Sequence, residues 1–177
     1  VDNTTQWFYD SFGRMIEERN ELNHSRFFAY DPTGNLVRKT DRNERVTEYS
    51  FDNLNRKTGE SWLDSQGDPI REFAFTYDLA GQLLSASDPD AAYTYEYDDL
   101  GQVTCESQAI TGLTPAITLE SQYDADGRQT QAAWTIGSSA DAVNDYSYDN
   151  LGRTVSIQQH SVTGGNAVAP KRVDFAY

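Results

Sequence analysis

Seven times along this chain an aromatic residue is followed by Asp, two variable positions and Gly or Asn. No other feature limits the fold as strongly. The copies are Tyr9-Asp10-Ser11-Phe12-Gly13, Tyr30-Asp31-Pro32-Thr33-Gly34, Phe51-Asp52-Asn53-Leu54-Asn55 and Tyr77-Asp78-Leu79-Ala80-Gly81. Further copies are Tyr97-Asp98-Asp99-Leu100-Gly101, Tyr123-Asp124-Ala125-Asp126-Gly127 and Tyr148-Asp149-Asn150-Leu151-Gly152. Tyr177 stands where an eighth would start, which gives a mean period of 24 residues from Tyr9. A period of that size marks a repeat architecture, in which each unit is stabilised by its neighbours.

Each copy reads as a tight turn. Asp at the first position of a type I turn accepts hydrogen bonds from the backbone ahead of it, and Gly at the fourth relieves the left-handed step. Pro32 sits at the second position, where its fixed φ belongs, and Asn55 is the residue that next best tolerates positive φ. Two residues before the motif aromatic stands another aromatic: Trp7, Phe28, Tyr49, Phe75, Tyr95, Tyr146 and Phe175, with only Ser121 breaking the row. Alternate positions share one face of a strand, so these pairs form a stripe, extended by Phe73 and Tyr93. The two repeat positions absorb 15 of the 22 aromatic residues, which assigns the aromatic content to architecture first.

Between motifs the chain reads as hairpins. Met15 and Ile16 predict a strand where propensity alone would allow a short helix. Polar turns are expected at 41–44, at 65–69 with Gly67 and Pro69, and at 88–90. Further turns are expected near Gly112 to Pro115, as a small-residue loop from Gly137 to Ala142, and at Gly164-Gly165-Asn166. The expected fold is therefore all-β: antiparallel hairpin repeats forming an extended, curved or spiralling sheet over residues 1–177 as a single array. A lone hairpin is marginal, so stability is expected from neighbouring hairpins and from large side chains buried on the aromatic face.

With its flanking aromatics the motif resembles that of the YD-repeat, or RHS-repeat, family, whose members carry Tyr-Asp-x-x-Gly-Arg turns between strands. The resemblance covers essentially the whole chain; Asn35, Gln82 and Gln102 replace the family's Arg, and Asn55 its Gly. It implies a wall section of a β-shell that encloses a C-terminal, toxin-like polypeptide. It also implies a secreted or cell-surface setting in a bacterium, and partners that are neighbouring repeats of the same parent chain. The family's self-cleavage signature of Asp-Pro-x-Gly type is not matched by Asp68-Pro69-Ile70 or Asp88-Pro89-Asp90. The alternative function is a surface module that binds polysaccharide or a partner protein.

Composition excludes several classes. A formal charge of −14 argues against nucleic acid, whose binding draws on clustered Lys and Arg. No apolar run approaches the length of a membrane helix, so membrane insertion by this segment is not expected. Cys105 has no partner for an internal disulfide. The start at Val1 and the end on Tyr177 suggest a segment of a longer array.

Catalytic chemistry has a thin supply: two histidines, His24 and His160, no G-x-S-x-G elbow and no metal-ligand spacing. We therefore expect no enzyme, no cofactor and no metal. Asp124-Ala125-Asp126-Gly127 overlays the middle of an EF-hand loop, but Gln122 and Ala133 fall where its end ligands belong. Trp62 and Trp134 fall outside the repeated aromatic positions and are the candidates for stacking against a ligand.

Overall fold

A computed structural model describes residues 4–161 and 171–177; the turn expected at 164–166 lies outside them. The regular elements described are all strands, in two compact units, 1–76 and 77–177. The first holds β1 (Gln6–Tyr9), β2 (Met15–Arg19), β3 (Ser25–Tyr30), β4 (Leu36–Thr40), β5 (Val46–Phe51), β6 (Lys57–Leu63) and β7 (Pro69–Tyr77), whose last residue opens the second unit. The second holds β8 (Leu83–Ser87), β9 (Ala91–Tyr97), β10 (Val103–Ile110), β11 (Leu113–Tyr123), β12 (Gln129–Ile136), β13 (Ser139–Tyr148), β14 (Thr154–Ser161) and β15 (Lys171–Asp174). Within each unit every strand pairs antiparallel with its neighbours in the chain, the pattern that short turns between consecutive strands impose.

The register shifts at the same place in six of the seven repeats. Tyr9 pairs with Met15 but Phe8 pairs with Glu17, which leaves Ile16 opposite no residue. The same step leaves out Val37, Thr58, Thr104, Thr130 and Val155. All six are β-branched, the class that packs best on a pleated surface. Each bulge adds local right-handed twist just past the turn.

Burial is shallow. Among the described residues Ala132, Ala142, Val143 and Ser156 alone are buried, and no large side chain is fully enclosed. The expectation of large side chains buried on the aromatic face is therefore corrected. The stripe is the more covered face, as the alternating burial along β7 and β9 shows, but it is only half-buried. A sheet face with no second layer on it gains less than the full transfer energy of its side chains.

Two loop boundaries also differ from expectation. The turn near Gly112 is confined to Thr111 and Gly112, and Pro115 lies inside β11. The loop expected from Gly137 to Ala142 is a two-residue turn, Gly137-Ser138, with Ser139–Ala142 belonging to β13. Ala142 pairs with Trp134, so its small side chain accommodates the indole rather than marking a loop. A Cβ on Gly137 would lie 2.6 Å from the Pro115 Cβ, so that turn admits only Gly.

Candidate functional site

The residues that recur with function-like regularity lie along the edge that bears the Tyr-Asp turns. In each turn the Gly or Asn at the fifth motif position donates its N–H to the Asp carbonyl. The Asp N–H reaches the carbonyl of the sixth residue, as in Gly13 to Asp10 at 3.1 Å and Asp10 to Arg14 at 2.9 Å. This is a type I turn closed by a left-handed residue, with φ from 60° at Asn55 to 99° at Gly34. The Asp side chain completes it. One oxygen of Asp10 accepts the N–H groups of Phe12 and Arg14, each at 2.9 Å, and the other accepts Arg14 Nε at 2.7 Å. Arg56, Arg128 and Arg153 bond Asp52, Asp124 and Asp149 at the same 2.7 Å.

Two kinds of contact run between consecutive turns. The tyrosine hydroxyls donate to the carbonyl just past the sixth position of the preceding repeat: Tyr30 to Met15, Tyr97 to Leu83, Tyr123 to Val103, Tyr148 to Gln129 and Tyr177 to Thr154, at 2.7–3.0 Å. The sixth side chain reaches forward. Arg14 lies 4.9 Å over the Tyr30 ring, Arg128 5.2 Å over Tyr148 and Arg153 4.5 Å over Tyr177. Where the sixth residue is shorter it still reaches: Asn35 Nδ2 donates to Asn55 Oδ1 at 2.8 Å, and Gln102 Nε2 to the Gly127 carbonyl at 2.9 Å. Tyr therefore has a role that Phe51 cannot fill. The only sign of this in the sequence is the preference for Tyr over Phe at the motif position.

The turn carboxylates are tuned by the same bonds. The N–H of the sixth residue, then its guanidinium working against partial desolvation, holds Asp10, Asp52, Asp124 and Asp149 below the usual carboxylate range. At Asp31 desolvation opposes the shift, but the Asn35 amide and the Thr33 hydroxyl lower the value to about 2. Asp124 and Asp126 both engage Arg128, so the oxygens of the EF-hand-like stretch already have a cationic partner. Among the described residues no three acidic, His or Cys side chains gather as a ligand set.

The remaining candidates are scattered. His24 closes the turn that starts at Asn20, and His160 Nδ1 stands 3.6 Å from Asp145 Oδ2 on the polar face of the second unit. Trp134 is half-buried and pairs with Leu119 and Ala142. Trp62 is 43% exposed, lies on the aromatic face of the first unit and packs on Phe73.

Within each unit the strands thus form an antiparallel meander with a Tyr-Asp or Phe-Asp turn at every second connection. Residues 1–114 match the family model described as Teneurin YD-shell, and the chain belongs to that family. No curated protein matches the sequence. Among solved structures it is similar to the crystal structure of TcdB2-TccC3-Cdc42, with a TM-score of 0.69 and 16% identity over 98% of this chain and 10% of that one. It is also similar to TcdB2-TccC3 without hypervariable C-terminal region, with a TM-score of 0.54 and 17% identity over 97% and 11%. TcdB2-TccC3 itself matches with a TM-score of 0.52 and 13% identity over 97% and 13%. The chain thus spans about a tenth of those proteins, and at these identities the likeness is one of fold.

Proposed function

We propose that this chain is a non-catalytic wall segment of a secreted or surface-exposed shell that encloses a polypeptide encoded C-terminal to it. The observation that carries this reading is where the motif's polar groups are used. Asp carboxylates, Arg side chains and Tyr hydroxyls are engaged in holding one turn and binding it to the next. Such an edge does mechanical work: it keeps consecutive hairpins in register, so that a hydrogen-bonded sheet excludes other proteins from what lies behind it. Belonging to the YD-shell family supports the same role, and one structural neighbour is described as being without its hypervariable C-terminal region.

The test uses the parent protein. Protease added to the intact protein should leave the polypeptide downstream of this segment uncleaved. A one-residue insertion after Leu100, which misregisters the wall, should expose it. Equal cleavage in both would remove the enclosure role.

A further inference from the structure

Of the chain's asparagines, two stand two places before a hydroxyl residue with no Pro between, the pattern that an N-linked oligosaccharide transferase accepts: Asn3-Thr4-Thr5 and Asn23-His24-Ser25. Only the second also has a carboxylate two places before its Asn, at Glu21. Glu21-Leu22-Asn23-His24-Ser25 runs from the turn after β2 into the first residue of β3, and Glu21 to His24 are all exposed.

The Asn23 side chain is not what holds this turn. Asn20 does so: its Oδ1 accepts the N–H groups of Leu22 at 3.1 Å and His24 at 2.8 Å, and its carbonyl accepts the Asn23 N–H at 3.0 Å. Asn23 itself takes the left-handed step, at φ 60°, which Asn tolerates better than most residues. A bulky group on its amide nitrogen therefore breaks none of these bonds and stands in solvent at the tip of the connection.

Ser25 sets the order of events. In the folded chain its hydroxyl donates to Glu17 Oε1 at 2.6 Å, an oxygen that Arg19 also holds, at 2.9 and 2.8 Å. Ser25 is at the same time paired with Arg19 across β2 and β3. The hydroxyl that a transferase must engage is thus occupied once this hairpin has closed, and is open to it only before.

We propose that Asn23 is an N-glycosylation acceptor, modified during export and before β2 and β3 pair. The donor is an oligosaccharide carried on a lipid diphosphate. The Asn23 amide nitrogen forms a bond to C1 of the first sugar and gives up one proton to a base. The bond from C1 to the diphosphate oxygen breaks, and its electron pair leaves with the lipid diphosphate. Glu21 suits the stricter bacterial form of the transferase, which pairs a carboxylate at that place with a cationic side chain. The proposal rests on the secreted or surface-exposed setting of the reading above and not on enclosure.

The test recovers the parent protein from outside its source cells, digests it with trypsin and weighs the peptide from Asn20 to Arg26. That peptide should carry an oligosaccharide on Asn23. The added mass should be lost in Asn23→Gln, Ser25→Ala and Glu21→Gln and kept in Ser25→Thr; because transfer precedes folding, none of these readings requires the variant to fold. A synthetic peptide of residues 17–28 should be glycosylated by the transferase in vitro, and the folded chain should not. A bare Asn23 on exported protein, or a glycan that survives Ser25→Ala, overturns the proposal alone. A parent protein found only inside the cell overturns it together with the secreted setting.

Discussion

The edge that bears the Tyr-Asp turns and the edge opposite it are made from the same strands, yet only one of them is uniform. On the first, a five-residue turn recurs with the same backbone bonds, followed in six of the seven copies by a bulge at a β-branched residue. On the second, the connections vary. In the first unit they are the same turn with other residues: Asn20 to His24, Asp41 to Arg45 and Asp64 to Asp68. In the second unit Asp88 accepts an Asx-type turn closed at Ala91, and the other two described connections are two-residue loops at Thr111-Gly112 and Gly137-Ser138.

The difference lies in what crosses from one turn to the next. On the Tyr-Asp edge a hydroxyl, absent only at Phe51, and a sixth-position side chain join turns by one rule, so a change of loop length in a copy such as Tyr123-Asp124 would break its contacts with its neighbour. On the opposite edge the ties are particular to each loop. Glu18 is shared by Arg26 and Arg42, the Thr111 N–H reaches the Asp90 carbonyl at 2.7 Å, and the Gly137 N–H reaches Ala116 at 2.6 Å. The loops there differ in length, while the repeat interval, 20 to 29 residues, follows mainly the lengths of the strands.

Loop insertion should separate the two edges most widely. One residue added after Leu100 should cost about 3 kcal/mol or more, because it displaces the bulge and turns every following side chain to the wrong face until register recovers. The same insertion after Gln66 also displaces a bulge, at Ile70, and should cost less only by the contacts that tie one Tyr-Asp turn to the next, about 1 kcal/mol. Denaturant melts of the two variants make the comparison, and equal losses would end it.

Acid should come next, because it acts on several Tyr-Asp turns together. Asp10, Asp31, Asp52, Asp124 and Asp149 are held below their ordinary values in the folded state, so they bind fewer protons folded than unfolded. Their contribution is complete above the ordinary carboxylate pKa and is lost as pH falls from about 4 towards 2. Stability measured by urea at pH 7, 4 and 2.5 should be nearly level between the first two and drop at the third.

Gly101→Val forces a β-branched residue to φ near 81° and sets its Cβ 2.8 Å from Gln82 Nε2. The backbone part should cost about 1–2 kcal/mol. Gln82→Ala in the same chain should recover only the smaller, side-chain part. A full recovery would mean that the left-handed step carries no strain.

The smallest expected effect is the sharpest. Tyr148→Phe removes the hydroxyl that bonds Gln129 at 2.7 Å and should cost about 1 kcal/mol. Phe51→Tyr supplies the hydroxyl that this one copy lacks, aimed by the repeat at the Leu36 carbonyl, and should gain about 0.5 kcal/mol. A loss in Phe51→Tyr would show that the third repeat departs from the rule.

Much of this was legible in the residues themselves. Asp and Gly have purely local reasons to sit in a turn, so seven connections and the strands flanking them follow from spacing. The turn expected at 41–44 is present, with Glu44 at φ 63°, whereas the turn at Asn20 was hidden because Asn23 occupies the left-handed position, at φ 60°, where the pattern led one to expect Gly. Ser139–Ala142 looked like a loop because small residues mark loops on average, whereas here they are strand residues and Ala142 stands opposite Trp134. The ladder between turns was not legible. It joins residues 14 to 25 positions apart, and no local preference reports which carbonyl a tyrosine hydroxyl will meet.

The central claim is that consecutive repeats are locked through the Tyr-Asp edge, and a double-mutant cycle at Arg14 and Tyr30 tests it most directly. Stability is measured for the wild type, Arg14→Ala, Tyr30→Leu and the pair, in one denaturant and at one pH. The guanidinium over the Tyr30 ring predicts that the two losses together fall short of their sum by about 0.5–1 kcal/mol. Strict additivity would mean that the turns stand side by side without holding one another.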